Sequence, residues 1–304
     1  MSDIKLFKID GNQVSTIEGQ SVAIEKSLQT LLEKHLDAFL GVRLVKSEHP
    51  TGKTHGGRID TLGIDENDSP VIIEYKRSLN ENVINQGLYY LDWLLDHKAE
   101  FVLLAQKIAP NLGEDDIDWG GARLLCIAGE FTKFDEHAVK QINRNIELIR
   151  YRRYGNELLL LELVNASTGD AGEPTTSGSK STVKYKESIV SEKLAKANTE
   201  VKDRYESLKA FAQALGDDVQ IKTLKQYIAF KRIKNFASVE IHPQDKNIIV
   251  FVKADFDHIH LDDGFTRDVR KIGHFGTGDL EITIRSDDDL ERAKPLIVKS
   301  YEDN

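Results

Sequence analysis

Ile24, Leu28, Leu31, Leu32, Leu36 and Phe39 recur at helical spacing. The pattern predicts a helix over about 21–39, with Ser21 as its N-cap. A short strand-like piece at 5–9 precedes it. Strand patterning then follows at 42–48, 58–64 and 71–76, and the polar loop 65–70 joins the last two as a hairpin. A second helix is expected over about 81–96. Strands are expected at 101–105 and 123–128, then a helix near 136–150 and a strand at 158–164. A hairpin followed by a strand that returns after a helix makes a mixed α/β sheet flanked by helices.

The pattern changes at NASTGDAGEPTTSGSKSTVK. Gly, Ser and Thr dominate, with little to bury, so this reads as a flexible linker. Residues 1–164 form one domain, 165–185 the linker and 186–304 a second, small α+β domain. In that second domain helices are expected over 188–215 and 222–231. Strands are expected at 237–241, 248–252 and 280–284, with a final helix over 287–301.

Charge narrows the partners. The 304 residues carry a net charge of −9. Residues 1–164 hold 19 Lys and Arg against 26 Asp and Glu, and 165–304 hold 22 against 24. Neither half is a basic module, so any nucleic-acid contact must come from local patches, helped by bound cations. No apolar run is long enough to cross a bilayer, and no export signal opens the chain, so a cytoplasmic, membrane-free protein is expected. A single cysteine, Cys126, rules out an intrachain disulfide and reads as a small core residue.

The segment GGRIDTLGIDENDSPVIIEYKRS, 56–78, carries the candidate chemistry. Side chains on a strand alternate faces, so Arg58 and Asp60 share one face, as do Glu74 and Lys76. Opposed residues of a hairpin have a constant sum of numbers. A sum of 134 sets Asp60 opposite Glu74, and 136 sets it opposite Lys76. Either register gathers two carboxylates and an ammonium on one surface. A surface salt bridge would look the same. Read as a site, hard oxygen donors suit Mg²⁺ or Mn²⁺, the Tyr75 carbonyl adding another oxygen. Lys76 then orients or deprotonates a water, or stabilises developing charge. Arg58, His55 and Lys53 are candidates to hold the scissile phosphate.

Asp60, thirteen intervening residues, Glu74, one residue and Lys76 resemble the PD-(D/E)XK nuclease signature. Gly57-Arg58-Ile59-Asp60 is similar to the GRxD start of NucS-like members, although Ile59 stands where the signature has Pro. Glu25 matches an acidic residue that these nucleases place near the metal. Gln86 and Tyr90, on one helical face, resemble the Gln and Tyr of RecB-like members. The resemblance covers about 20–130. It implies a restriction-endonuclease-like fold and phosphodiester hydrolysis, with DNA a better substrate than RNA. It implies Asp60, Glu74 and Glu25 as metal ligands, Lys76 as catalytic lysine, and Gln86 and Tyr90 as support for the site or the nucleic acid. Homodimers are common among such nucleases. The alternative is a nuclease-fold module that binds nucleic acid or protein without cutting. RDVRKIGHFGTGDLEITI, 267–284, resembles an uncharacterised domain found behind such nuclease-like domains.

Three further features read more plainly. Arg144, Arg150, Arg152 and Arg153 suit a solvated helix end better than a phosphate-contacting edge. Lys222, Lys225, Lys231, Arg232 and Lys234 interleave with Tyr227, Phe230 and Phe236, which suits core aromatics with lysines in water better than base stacking. His258 and His260 lack a third metal ligand at known spacing.

Overall fold

A computed structural model describes residues 4–20, 25–76, 83–167, 189–257 and 259–304. The chain forms two compact units, Met1–Pro174 and Thr175–Asn304. Each is mixed in secondary structure. The predicted N-cap Ser21, most of the predicted linker and His258 lie outside the described residues.

The first unit opens with a hairpin, β1 (Leu6–Asp10) and β2 (Gln13–Ile17), and a short β3 (Gly19–Gln20). The first predicted helix is two pieces, α1 (Glu25–Lys34) and α2 (Leu36–Leu40). The break falls at His35, and Gly41 ends α2 with φ 62°. Then come β4 (Val42–Pro50), a one-turn α3 (Gly52–His55), β5 (Arg58–Asp65) and β6 (Pro70–Lys76). The β5–β6 turn is fixed by Asp65, whose Oδ1 accepts from the N–H groups of Asn67 and Ser69. α4 (Val83–Asp96), α5 (Lys98–Ala105), β7 (Arg123–Ala128), α6 (Lys133–Lys140), β8 (Asn145–Tyr154) and β9 (Leu158–Ser167) complete the unit.

The sheet order is β3-β8-β7-β6-β5-β4, with β9 also pairing β8. β4, β5 and β6 are antiparallel neighbours, while β6, β7 and β8 run parallel. One face buries Leu62, Ile64, Ile72, Leu124, Cys126, Ile146 and Leu148 against Val83, Leu91, Trp93 and Leu94 of α4 and Phe101 of α5. α1 lies against the other face, where Thr61 Oγ1 meets Glu33 at 2.5 Å and Tyr75 Oη at 3.3 Å.

Two predicted elements in this unit are corrected. Residues 101–105 are helix, not strand: Phe101 and Ala105, four apart, face the core, while Leu103 between them is exposed. A short apolar run fits either period, and tertiary packing decides. The helix predicted at 136–150 starts earlier and stops sooner. A capping box between Thr132 and Asp135 starts α6, and the chain turns into β8 at Asn145. Of the arginines taken for a helix end, Arg150, Arg152 and Arg153 therefore sit on β8, and Arg144 lies just before it. Arg150 is buried and meets Glu162 through Nε at 3.0 Å and Nη2 at 2.6 Å.

The second unit has α7 (Ile189–Lys196), α8 (Thr199–Gln213), β10 (Gln220–Thr223), β11 (Ile228–Lys231), β12 (Asn235–His242), β13 (Asn247–Val252), β14 (Thr266–Asp268), β15 (Leu280–Ile284) and α9 (Asp287–Glu302). Its six strands form one antiparallel sheet, β10-β11-β12-β13-β15-β14. Phe230, Val239, Ile241, Val250 and Ile282 pack there against Leu208 of α8 and Ile297 of α9. The predicted helix at 222–231 is instead the β10–β11 hairpin. Phe230 and Phe236 are core residues, but Lys231 is buried too, at 4% exposure, so the lysines in water hold only in part. Ser286 caps α9 by accepting from Asp289 N–H.

Candidate active site

Thr61 pairs with Ile73, so the hairpin has the register whose numbers sum to 134. The β5–β6 ladder ends at that pair, although β6 continues to Lys76 beside β7. From Asp60 outward the two strands splay. The carboxylates fill the opening: Asp60 N–H donates to Glu74 Oε1 at 3.1 Å, and Tyr75 N–H donates to Asp60 Oδ2 at 3.1 Å. Side chains replace the backbone bonds that the ladder would otherwise supply. The N–H and C=O of one strand residue point to the same neighbour, so the Tyr75 carbonyl also faces the gap.

Glu74 has no exposed surface, and its Oε2 is buried without a hydrogen bond. Burial, and next the charge of Asp60, push its carboxyl up to about 9. Lys76, partly exposed at the end of β6, pulls the other way. Cys126, adjacent on β7, is wholly buried, and burial pushes its thiol up, so it is no nucleophile.

α4 braces the entry to β5. The Tyr90 hydroxyl accepts from Arg58 N–H and from Gln86 Nε2, both at 3.1 Å. Gly57 makes room for that ring: a Cβ there would stand 2.6 Å from Tyr90 Cε1. Tyr90 is buried, and of the two supports expected of it, for the site or for nucleic acid, its hydroxyl gives the first by holding the strand that carries Arg58 and Asp60. Arg58 is exposed and its Nε lies 2.5 Å from Glu48 Oε2. Lys53 is exposed on α3. His55 packs its ring on Tyr89, centroids 5.0 Å apart, and near His97 at 5.8 Å. Only the backbone of Glu25 is described, at the start of α1.

Three residues near Asp60 had no sequence signal. Gln29, buried on α1, donates from Nε2 to the Asp60 carbonyl at 2.8 Å. Glu48 on β4 holds both Arg58 and Lys26. Their roles depend on long-range register, which no local motif encodes.

The donor set fits a hard divalent cation. The orphaned Glu74 Oε2, Asp60 and the Tyr75 carbonyl are all oxygens, and the gap holds two acids where one cation would relieve their repulsion. Among the described residues no group of three or more His, Cys, Asp or Glu is placed to hold a metal.

Over 310 residues the chain is 32% identical to a protein of Haemophilus influenzae described as uncharacterized, covering 99% of this chain and all of that one. The chain belongs to that protein's family. Residues 188–304 match the model of a domain of unknown function, DUF5655. No solved structure matches. Among the described residues, no helix is long and apolar enough to cross a membrane.

Proposed function

We propose that the first unit is a divalent-metal-dependent nuclease that hydrolyses phosphodiester bonds, with DNA as substrate. The observation that carries this reading is the splayed end of the β5–β6 hairpin. Two acids from neighbouring strands meet there, one of them fully buried with an oxygen left unbonded, beside a lysine. A buried Glu74 beside Asp60 without a cation is poorly solvated and faces a like charge, which is costly in a folded protein.

Asp60, Glu74 and the Tyr75 carbonyl would hold Mg²⁺ or Mn²⁺, with Glu25 added by the PD-(D/E)XK resemblance. When bound, such an ion activates water and neutralises charge on phosphate oxygens. Lys76 stands beside the acids, where its ammonium orients the attacking water and offsets negative charge building at phosphorus. Arg58 presents its guanidinium to a phosphate oxygen. Gln86 and Tyr90 hold the Arg58 backbone in place. The buried, unreactive Cys126 suits a reducing cytoplasm.

The test is cleavage by the full chain with Mg²⁺ or Mn²⁺. The labelled substrates are single-stranded, duplex, flapped and mismatched DNA, and RNA. Cleavage is expected, lost with EDTA and reduced by about 10²-fold or more in Lys76→Ala. If no substrate is cut, the first unit is a binding module rather than an enzyme.

A further inference from the structure

On β4, Ser47 pairs with Thr61 and His49 with Ile59, which brackets Glu48 opposite Asp60. The pairing of Thr61 with Ile73 sets Asp60 opposite Glu74. Glu48, Asp60 and Glu74 thus form one row across three strands. Glu48 does not join the other two acids. Its φ is 52°, a left-handed conformation that disfavours any residue with a Cβ. Its carboxylate is held from both sides: Lys26 Nζ lies 2.6 Å from Oε1 and Arg58 Nε 2.5 Å from Oε2. The first of these contacts is the largest cause holding the Glu48 carboxyl below its usual range.

The two cations come from α1 and β5, and both are tied to the site. Lys26 Nζ also lies 3.2 Å from Gln29 Oε1, and Gln29 Nε2 reaches the Asp60 carbonyl. Two cations against one carboxylate leave a local charge of +1 beside a row of acids. A phosphodiester matches the carboxylate they hold, with one negative charge shared by two unbridged oxygens. The side chains of Lys26, Arg58 and Glu48 are 58%, 65% and 26% exposed, so a ligand can reach them.

We infer that Lys26 and Arg58 form a phosphate clamp and that Glu48 is its stand-in occupant, holding both cations until a nucleic-acid phosphate displaces it. The identity of the ligand rests on the nuclease reading. The clamp itself rests on the three side chains.

The test is binding, not cleavage. The full chain, with Lys76→Ala as background and Ca²⁺ as the divalent ion, is titrated into fluorescein-labelled single-stranded and duplex DNA at several salt concentrations. Glu48→Gln keeps the shape but removes the competing charge. It is expected to bind about tenfold tighter at low salt, with the advantage shrinking as salt rises. Lys26→Ala and Arg58→Ala should each weaken binding and lower the salt slope by about one. If Glu48→Gln lowers the melting temperature, Glu48→Asn, which tolerates the left-handed region, takes its place in the titration. The clamp is overturned if the neutral variant binds no tighter, if DNA does not bind at all, or if the lysine and arginine variants leave affinity and slope unchanged. A wild-type protein that binds in this way yet never cuts would sink the nuclease reading and leave the clamp standing. Cleavage with binding indifferent to all three positions would sink the clamp alone.

Discussion

Glu74 sets the pH response of the cation-free protein. Its carboxyl is raised from 4.5 to about 9, by burial first and Asp60 second. The folded chain therefore keeps a proton that the unfolded chain releases near pH 4.5. Between those two values the native state binds more protons, so stability falls as pH rises. The cost is absent below about pH 4.5 and reaches ~3 kcal/mol by pH 7. Both tryptophans, Trp93 and Trp119, lie in the first unit, so their fluorescence reports its unfolding alone. Urea unfolding should give a lower midpoint at pH 8 than at pH 5, and Glu74→Gln should flatten that slope and exceed wild type at pH 8. An unchanged slope in Glu74→Gln would mean that the proton sits elsewhere. A second residue-scale test concerns Arg123, buried between Asp65 at 3.0 Å and Glu147 at 2.7 Å. Arg123→Met would strand two buried acids and should cost about 3–5 kcal/mol by the same fluorescence measurement, whereas a loss under about 1 kcal/mol would deny the ion pairs their role.

Asp60, Glu74 and Lys76 were legible in the sequence because a hairpin fixes side-chain faces by simple counting, and Asp65 fixed the turn with local bonds. Gln86 and Tyr90 were legible as a four-residue helical pair. Glu48 and Gln29 were not, because they meet Asp60 only through strand pairing and helix docking. The same limit explains the misread elements. LysAlaGluPheValLeuLeuAla at 98–105 forms a helix because Phe101 and Ala105 need one core-facing stripe. The arginine-rich 145–154 forms a strand because Ile146 and Leu148 reach one face of the sheet and Glu147 reaches Arg123. At this scale the brace from α4 to β5 is testable. Tyr90→Phe leaves Arg58 N–H and Gln86 without their acceptor and should cost about 1–2 kcal/mol in urea unfolding. Stability equal to wild type would show that water replaces the hydroxyl without loss.

Across the whole molecule the two units divide the problem. The first gathers two acids, the buried Glu74 and the partly exposed Asp60, at a splayed strand pair. The second, matching DUF5655 over 188–304, packs helices on one antiparallel sheet. The net charge of −9 opposes binding of a polyanion, so the proposed binding of DNA would rest on local cations such as Lys26 and Arg58 and on a divalent ion between Asp60 and Glu74. The nuclease role proposed for the first unit depends on that gap accepting a cation. The direct measurement is calorimetric titration of Mn²⁺ into the full chain at pH 7, in buffers of different ionisation heat, for wild type and Glu74→Gln. Wild type should bind Mn²⁺ and release about one proton as Glu74 ionises, and the variant should lose both the affinity and the proton. Absence of Mn²⁺ binding, or binding untouched by Glu74→Gln, would contradict a metal site between the two strands.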